Sequence, residues 1–198
     1  MGFLSKPTSA LVAGLAASGL ALAVWMSESQ GDGLGLASFL ARLVHIAAAM
    51  IWVGMIWFVN YVQLAALGEA DEPGRAVLRR LVVPRVAKAF RIASHVAVAS
   101  GVALLLTTGY MLDRWVFPSA VYIPAARAAL IWSGTIAGLA MWALAHFLVW
   151  PALKVVLDGA SSPGEAAHAR RRALFGARLN LALSMPVTFA MVAAAHLY

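Results

Sequence analysis

The chain of 198 residues contains no cysteine, and only 12% of its residues are charged. Without cysteine there are no disulfides, no thiolate metal ligands and no covalent CxxCH attachment of haem. Acidic residues are scarce, and no spaced carboxylates lie within the apolar segments, which argues against a proton relay or a di-metal carboxylate site. Hydrophobic residues make up 63% of the chain, which predicts an integral membrane protein.

Five apolar segments are long enough to cross a bilayer, which takes roughly 20 residues. They cover about residues 9–26, 36–67, 86–112, 124–157 and 173–198, and they predict one all-α polytopic membrane domain over residues 1–198. The first segment resembles a signal peptide. No small-x-small cleavage site follows it, so we expect it to be retained as a helix. Pro151 and Pro186 fall inside segments and are expected to kink them.

The formal charge of +7 arises mostly from two basic loops, 69–85 and 154–178. The positive-inside rule places both loops in the cytoplasm, which explains the basic residues without a nucleic-acid partner. We therefore expect a bacterial inner-membrane protein with a cytoplasmic N-terminus and a periplasmic or extracellular C-terminus. Within the first loop, apolar residues alternate with arginines over 77–82, which predicts a short interfacial helix. His168, in the second loop, is expected to be a solvated loop residue.

Four histidines lie within the second to fifth segments, one on each. At about 1.5 Å per residue, His45 and His196 fall near the outer face, and His95 and His146 near the inner face. An imidazole buried in lipid is costly and usually has a partner. Two facing histidines can clamp a haem iron. The pattern therefore predicts two non-covalent haems b in a four-helix bundle, with the first helix peripheral to it.

Two arginines lie one helical turn from these histidines. Arg42 is one turn outward of His45, and Arg91 is one turn inward of His95. Because Arg matches carboxylate geometry, either residue can pair with a haem propionate. The alternative is that both side chains reach to the membrane interfaces as ordinary cationic anchors.

Two tryptophans lie deeper than a membrane-interface anchor requires. Trp52 and Trp142 are expected to line a cofactor pocket. At the end of the second segment, Asn60, Tyr61 and Gln63 either contact a quinone headgroup or simply mark the end of the span.

The second segment contains the sequence LARLVHIAAAMIWVGMIWFVNYVQLAAL. This pattern of His, Trp-x-Gly and a terminal Asn-Tyr-x-Gln resembles the membrane domain of bacterial membrane-bound urate hydroxylases. It more distantly resembles copper-resistance protein D and HemJ-type protoporphyrinogen oxidases. The resemblance covers about 30 residues and implies haem b on His45 with a redox role. Many urate hydroxylases add a cytochrome c domain, and this chain has no CxxCH, so urate chemistry is not carried over. The matching residues are His45, Trp52, Gly54, Asn60 and Gln63.

The sequence therefore favours a b-type cytochrome that carries electrons between an outer and an inner bis-histidine haem. Its partners are expected to be lipid, a quinone, and either a redox protein or a second copy of the chain. Two alternatives stay open. One is a single-haem membrane oxidoreductase, an enzyme acting on a porphyrinogen-like small substrate. The other is a non-redox accessory or copper-handling subunit, since histidine also binds copper.

The predicted orientation is testable because the chain has no cysteine to give background labelling. Ser119→Cys, between the third and fourth spans, is expected to react with a membrane-impermeant maleimide on spheroplasts. Ser161→Cys, in the second basic loop, is expected to react only after lysis. Labelling of Ser161→Cys on sealed spheroplasts would contradict the orientation.

Overall fold

A computed structural model describes residues 6–28, 33–109, 123–158 and 161–197, and every regular element in these ranges is helical. Five of the helices are long and apolar enough to cross a membrane, which confirms the all-α class and the number of candidate spans. Residues 110–122, which include the predicted end of the third span, lie outside the described ranges. The helices are α1 Pro7–Glu28, α2 Gly33–Glu69, α3 Glu72–Thr107, α4 Ala125–Leu157 and α5 Pro163–His196.

The chain divides into two compact units, residues 1–37 and 38–198. The first unit contains α1, whose described side chains are exposed or half-buried. The second unit contains most of α2 and all of α3, α4 and α5. The peripheral position of the first helix therefore stays a prediction.

Two of the helices begin well before the spans predicted from hydropathy. Helix α3 begins at Glu72, where the Asp71 carboxylate accepts a hydrogen bond of 2.9 Å from the Gly74 amide. Helix α5 begins at Pro163 with a capping box formed by Ser162 and Glu165. Residues 77–82 are helical as expected, but they continue into α3 and do not form a short helix of their own. Their position at the membrane interface stays a prediction. His168 is exposed but helical, which corrects its assignment to a loop.

Three of the helices contain a turn of π-helix, at Val59–Gln63 in α2, Leu78–Val82 in α3 and Leu144–Val149 in α4. Two of these segments end just before a proline, Pro84 or Pro151. Proline has no amide hydrogen, so a preceding carbonyl loses its partner and the turn can widen. The expected irregularity at Pro151 therefore takes the form of a π turn.

The first π segment has no following proline and a different cause. The Asn60 side-chain amide donates a hydrogen bond of 2.8 Å to the carbonyl of Ile56, four residues earlier. A side chain that binds the carbonyl of the preceding turn competes with the regular backbone pattern.

The core of the second unit is built from small and large apolar residues of α2, α3 and α4, with residues of α5 packed against it. The alanines allow close approach of the helices, as is common in membrane proteins. Buried serines such as Ser94 and Ser184 donate to carbonyls of their own helices and do not stay unpaired. The fully buried members are Ala48, Trp52, Ile56, Ala93, Ala97 and Met141.

Helices α4 and α5 approach most tightly where Gly176 faces the π segment of α4. A Cβ at Gly176 would lie 2.5 Å from Cγ2 of Val149, whereas a Cβ at Gly138 on α4 would meet nothing within 4 Å. We expect Gly176→Ala to lower the free energy of unfolding by about 1–3 kcal/mol through overpacking. Gly138→Ala is the matched control, with a helix-propensity gain of up to about 1 kcal/mol.

Thermal melting of both purified variants in one detergent tests this expectation. A Gly176→Ala protein that melts at or above the wild-type temperature contradicts the tight contact between α4 and α5.

Candidate functional site

The structure brings together His95 of α3 and His146 of α4. Their ring centroids are 4.3 Å apart and their planes meet at 45°. These are the two histidines predicted to share the inner depth. His146 is half-buried within the π segment Leu144–Val149, and His95 is exposed.

Trp142 contacts both rings of this pair. Its indole Nε1–H donates a hydrogen bond of 3.1 Å to Nδ1 of His95. Its ring lies 4.9 Å from the His146 ring, with an interplanar angle of 30°. Trp142 and His146 are four residues apart, which places them on one face of α4. Trp142 therefore contacts both histidines of the pair, and its predicted role in lining a cofactor pocket stays a prediction.

The hydrogen bonds define which nitrogen of each ring carries a proton. Nδ1 of His146 lies 2.8 Å from the carbonyl oxygen of Trp142, and because a carbonyl only accepts, Nδ1 is the donor. In the neutral ring, Nε2 of His146 then has the lone pair. That atom is buried and has no hydrogen-bond partner among the described residues. His95 has the opposite tautomer when neutral, because its Nδ1 accepts from Trp142.

His45 shows the same hydrogen-bonding pattern as His146 on a different helix. Its Nδ1 donates to the carbonyl of Ala97 on α3 at 2.8 Å, which again leaves the lone pair on Nε2. Gly101 leaves room for the ring, because a Cβ there would lie 3.0 Å from Cε1 of His45. The small residues at 97 and 101, four apart on α3, form the surface on which this ring lies.

His196 lies in the last turn of α5 and is exposed. Within the described part of the chain, no contact joins His196 to the ring of His45. The hydrogen bond to Ala97 turns His45 toward α3. The structure thus brings together the predicted inner pair and does not bring together the predicted outer pair.

The flanking arginines and Trp52 have different surroundings. Arg42 is exposed. The guanidinium of Arg91 lies 4.3 Å from the ring centroid of Trp150, and its Nε has no partner among the described residues. Trp52 is buried in the core and meets Phe90 edge-on at 6.3 Å, and its indole Nε1 has no hydrogen-bond partner among the described residues.

A cavity of about 320 Å³ lies between α2, α3, α4 and α5. Its lining includes Arg91 and Ala145, which are close in sequence to His95 and His146, but it does not include the two histidines or Trp142. That volume is in the range of small-molecule sites, roughly 300–1,000 Å³. All three π segments contribute to its lining. Most of the wall is apolar, and the polar lining residues are Asn60, Gln63, Arg79, Arg91, Arg170 and Asn180.

Three of these polar residues are amides whose side chains are nine-tenths or more buried. Asn180 is 2% exposed, Asn60 4% and Gln63 9%, and the side-chain oxygen of each has no hydrogen-bond partner among the described residues. A buried polar atom left unpaired costs about 1–3 kcal/mol. Tyr61, predicted with Asn60 and Gln63, is exposed and stacks on Trp57 instead.

Asn180 was missed from the sequence. Its signal was available, since it is an amide inside an otherwise apolar stretch of the fifth segment.

In the described ranges, no group of three or more His, Cys, Asp or Glu side chains is placed to hold a metal ion. Comparisons with known protein families, characterised proteins and solved structures give no match to this chain. The resemblance to the urate hydroxylase membrane domain stays a prediction.

The tautomers of the three histidines can be measured by ¹⁵N NMR of the purified protein. His45 and His146 are expected to carry the proton on Nδ1, and His95 on Nε2. Trp142→Phe removes the indole donor and keeps an aromatic ring, so it is expected to release His95 from its single tautomer. An Nε2-protonated His146 in the wild type would contradict the assignment.

Proposed function

We propose that this chain is a membrane electron carrier of the cytochrome b type, which holds haem b non-covalently through histidine. The observation that carries the proposal is Nε2 of His146. It is a buried imidazole nitrogen with its lone pair available and no partner among the described residues. Metal-ligating histidines commonly donate their other N–H to a backbone carbonyl or carboxylate, which fixes the tautomer as it is here.

His45 supports the same proposal independently. Its Nδ1–H is also bound to a backbone carbonyl, so its Nε2 is likewise prepared to bind a metal. We propose His45 with His196 as the outer site and His95 with His146 as the inner site. The four helices α2–α5 form the haem-binding bundle and α1 lies outside it.

The distance between the His95 and His146 rings sets a condition for assigning both of them to one haem. Two imidazoles on opposite sides of one iron have centroids about 6 Å apart. Each metal–nitrogen bond is about 2 Å, and each ring centroid lies about 1 Å beyond its nitrogen. The observed separation is 4.3 Å. Ligation by both rings therefore requires them to part by about 2 Å, while His146 keeps its bond to the Trp142 carbonyl. It also requires His95 to give up the hydrogen bond from Trp142, because Nδ1 of His95 accepts that bond and Nε2 then carries the proton.

Haem supplies one-electron exchange, and the protein supplies position and electrostatics. Trp142 orients His95 through the indole N–H, and it packs on the ring of His146. Arg91 places a cation one turn from His95 and is the propionate partner we propose. The electron partner is a quinone or a second redox protein, and the protein resides in the bacterial inner membrane with the basic segments in the cytoplasm.

The spacing of the inner pair also favours a second candidate, the handling of a small metal ion such as copper. Two rings at 4.3 Å are better placed to approach one ion from the same side than to lie on opposite faces of a porphyrin. This candidate predicts uptake of copper by His95 and His146, and no haem.

Haem-to-protein stoichiometry separates these functions. The purified protein is expected to show a reducible Soret and α-band spectrum, with two haems per chain by pyridine haemochrome. One haem with catalytic turnover supports the single-haem oxidoreductase, and none, with bound copper, supports the metal-handling candidate. The complete absence of haem would rule out the electron-carrier proposal.

Single replacements then assign the ligands. His146→Ala is expected to remove the inner haem and His45→Ala the outer one, each lowering haem content by half. His168→Ala is the matched control, because His168 is exposed on α5. Full haem content in His146→Ala, in protein that melts like wild type, excludes His146 as a ligand.

A further inference from the structure

The cavity between α2, α3, α4 and α5 combines apolar walls with a few buried polar groups. Its walls are apolar residues such as Val83, Phe90 and Leu153, yet the side-chain oxygens of three buried amides that line it have no partner among the described residues. An apolar site with a few precisely placed polar groups is the usual form of a small-molecule pocket. The amides therefore indicate which ligand groups the cavity accommodates.

Asn60 is a fixed hydrogen-bond acceptor. Its Nδ2 donates to the carbonyl of Ile56 at 2.8 Å and to the carbonyl of Ala177 at 3.2 Å. Because both partners are carbonyls, the amide cannot be reversed, and Oδ1 of Asn60 must be the atom without a partner. Only a ligand that donates a hydrogen bond can satisfy it.

Gln63 and Asn180 add two further amides whose side-chain oxygens have no partner. An amide group both donates and accepts, so these two residues match a ligand group with both capacities. Arg91 contributes a fixed donor, since its guanidinium lies over Trp150 and its Nε has no partner among the described residues. Arg79 and Arg170 also line the cavity, so the site as a whole offers one obligatory acceptor, two adaptable amides and three cationic donors.

We propose that this cavity binds the headgroup of an isoprenoid hydroquinone, and that it prefers the reduced hydroquinone to the oxidised quinone. Each hydroquinone hydroxyl both donates and accepts, so one hydroxyl donates to Oδ1 of Asn60 and a hydroxyl oxygen can still accept from Arg91. A quinone carbonyl only accepts, and it leaves the Asn60 oxygen unpaired in an apolar cavity. A phosphate or carboxylate headgroup can pair with Arg79, Arg91 or Arg170, but without a proton to donate it leaves the Asn60 oxygen unpaired, as a quinone carbonyl does.

Two residues that line the cavity are close in sequence to His95 and His146. Arg91 lines the cavity and lies one turn from His95, and Ala145 lines it and directly precedes His146. The inference deepens the electron-carrier function by naming its small-molecule partner, and its redox meaning rests on that function. Binding itself does not need haem and is measured separately.

The test uses the full chain in lipid nanodiscs, with decyl-ubiquinol under anaerobic conditions and decyl-ubiquinone as probes. Binding is followed by tryptophan fluorescence or calorimetry. Wild type is expected to bind the quinol about five-fold or more tighter than the quinone, which corresponds to one net hydrogen bond. Equal or tighter binding of the quinone, or no saturable binding of either form, overturns the proposal.

Asn180→Leu tests the site without removing a structural hydrogen bond, because its side-chain oxygen has no partner to lose among the described residues. Quinol affinity is expected to fall about ten-fold, with a melting temperature equal to or above that of wild type. Ser184→Ala is the matched control: it is buried on the same helix, bonded within that helix, and outside the cavity lining. Unchanged quinol affinity in Asn180→Leu overturns the proposal.

Haem content measured on the same samples separates the two proposals. Saturable quinol binding by a protein without haem supports the quinol site and excludes the electron-carrier function. Two haems per chain without quinol binding support the electron-carrier function and exclude the quinol site.

Discussion

The missing amide hydrogen of Pro151 is the constraint on which most of the site depends. Because proline donates no hydrogen bond, the preceding turn of α4 widens into the π segment Leu144–Val149. That turn carries His146 with its Nδ1–H on the Trp142 carbonyl, places Ala145 in the wall of the cavity, and presents Val149 to Gly176 of α5. One residue that cannot complete a regular helix thus determines a candidate ligand, a cavity wall and the tightest helix contact.

Polar groups inside these apolar helices fall into two sets that differ in their partners. Serines and threonines bond to carbonyls of their own helix, as Ser94, Ser184 and Thr135 do, and they contribute no recognition. The second set has no partner among the described residues. It contains Nε2 of His146, Nε1 of Trp52, and, in the cavity lining, Nε of Arg91 and the three amide oxygens. Because an unpaired buried polar atom is costly, its concentration in one region of α2–α5 is the physical argument for binding there.

Hydropathy was enough to predict five apolar helices, and loop charge with helical rise was enough to group His95 with His146. Neither could predict the rotation of a side chain about its helix, and so His45 was not expected to lie against Ala97 and Gly101. The alternation of apolar residues with arginines over 77–82 indicated a helix, but it could not show that this helix continues into α3. Asn180 is the opposite case: a single amide within an apolar segment could have been identified from the sequence as a candidate site residue.

The contact between His45 and Gly101 makes two distant positions interdependent. The ring is held from one side by the carbonyl of Ala97, and it lies against residue 101, where a Cβ would be 3.0 Å from Cε1 of His45. A larger residue at 101 is compatible with the helix but not with this orientation of the imidazole, and a different residue at 45 releases 101 from the requirement for glycine. Among diverging descendants of this chain, the two positions are therefore expected to change together, which would make them a covarying pair that reports on the packing of α2 against α3.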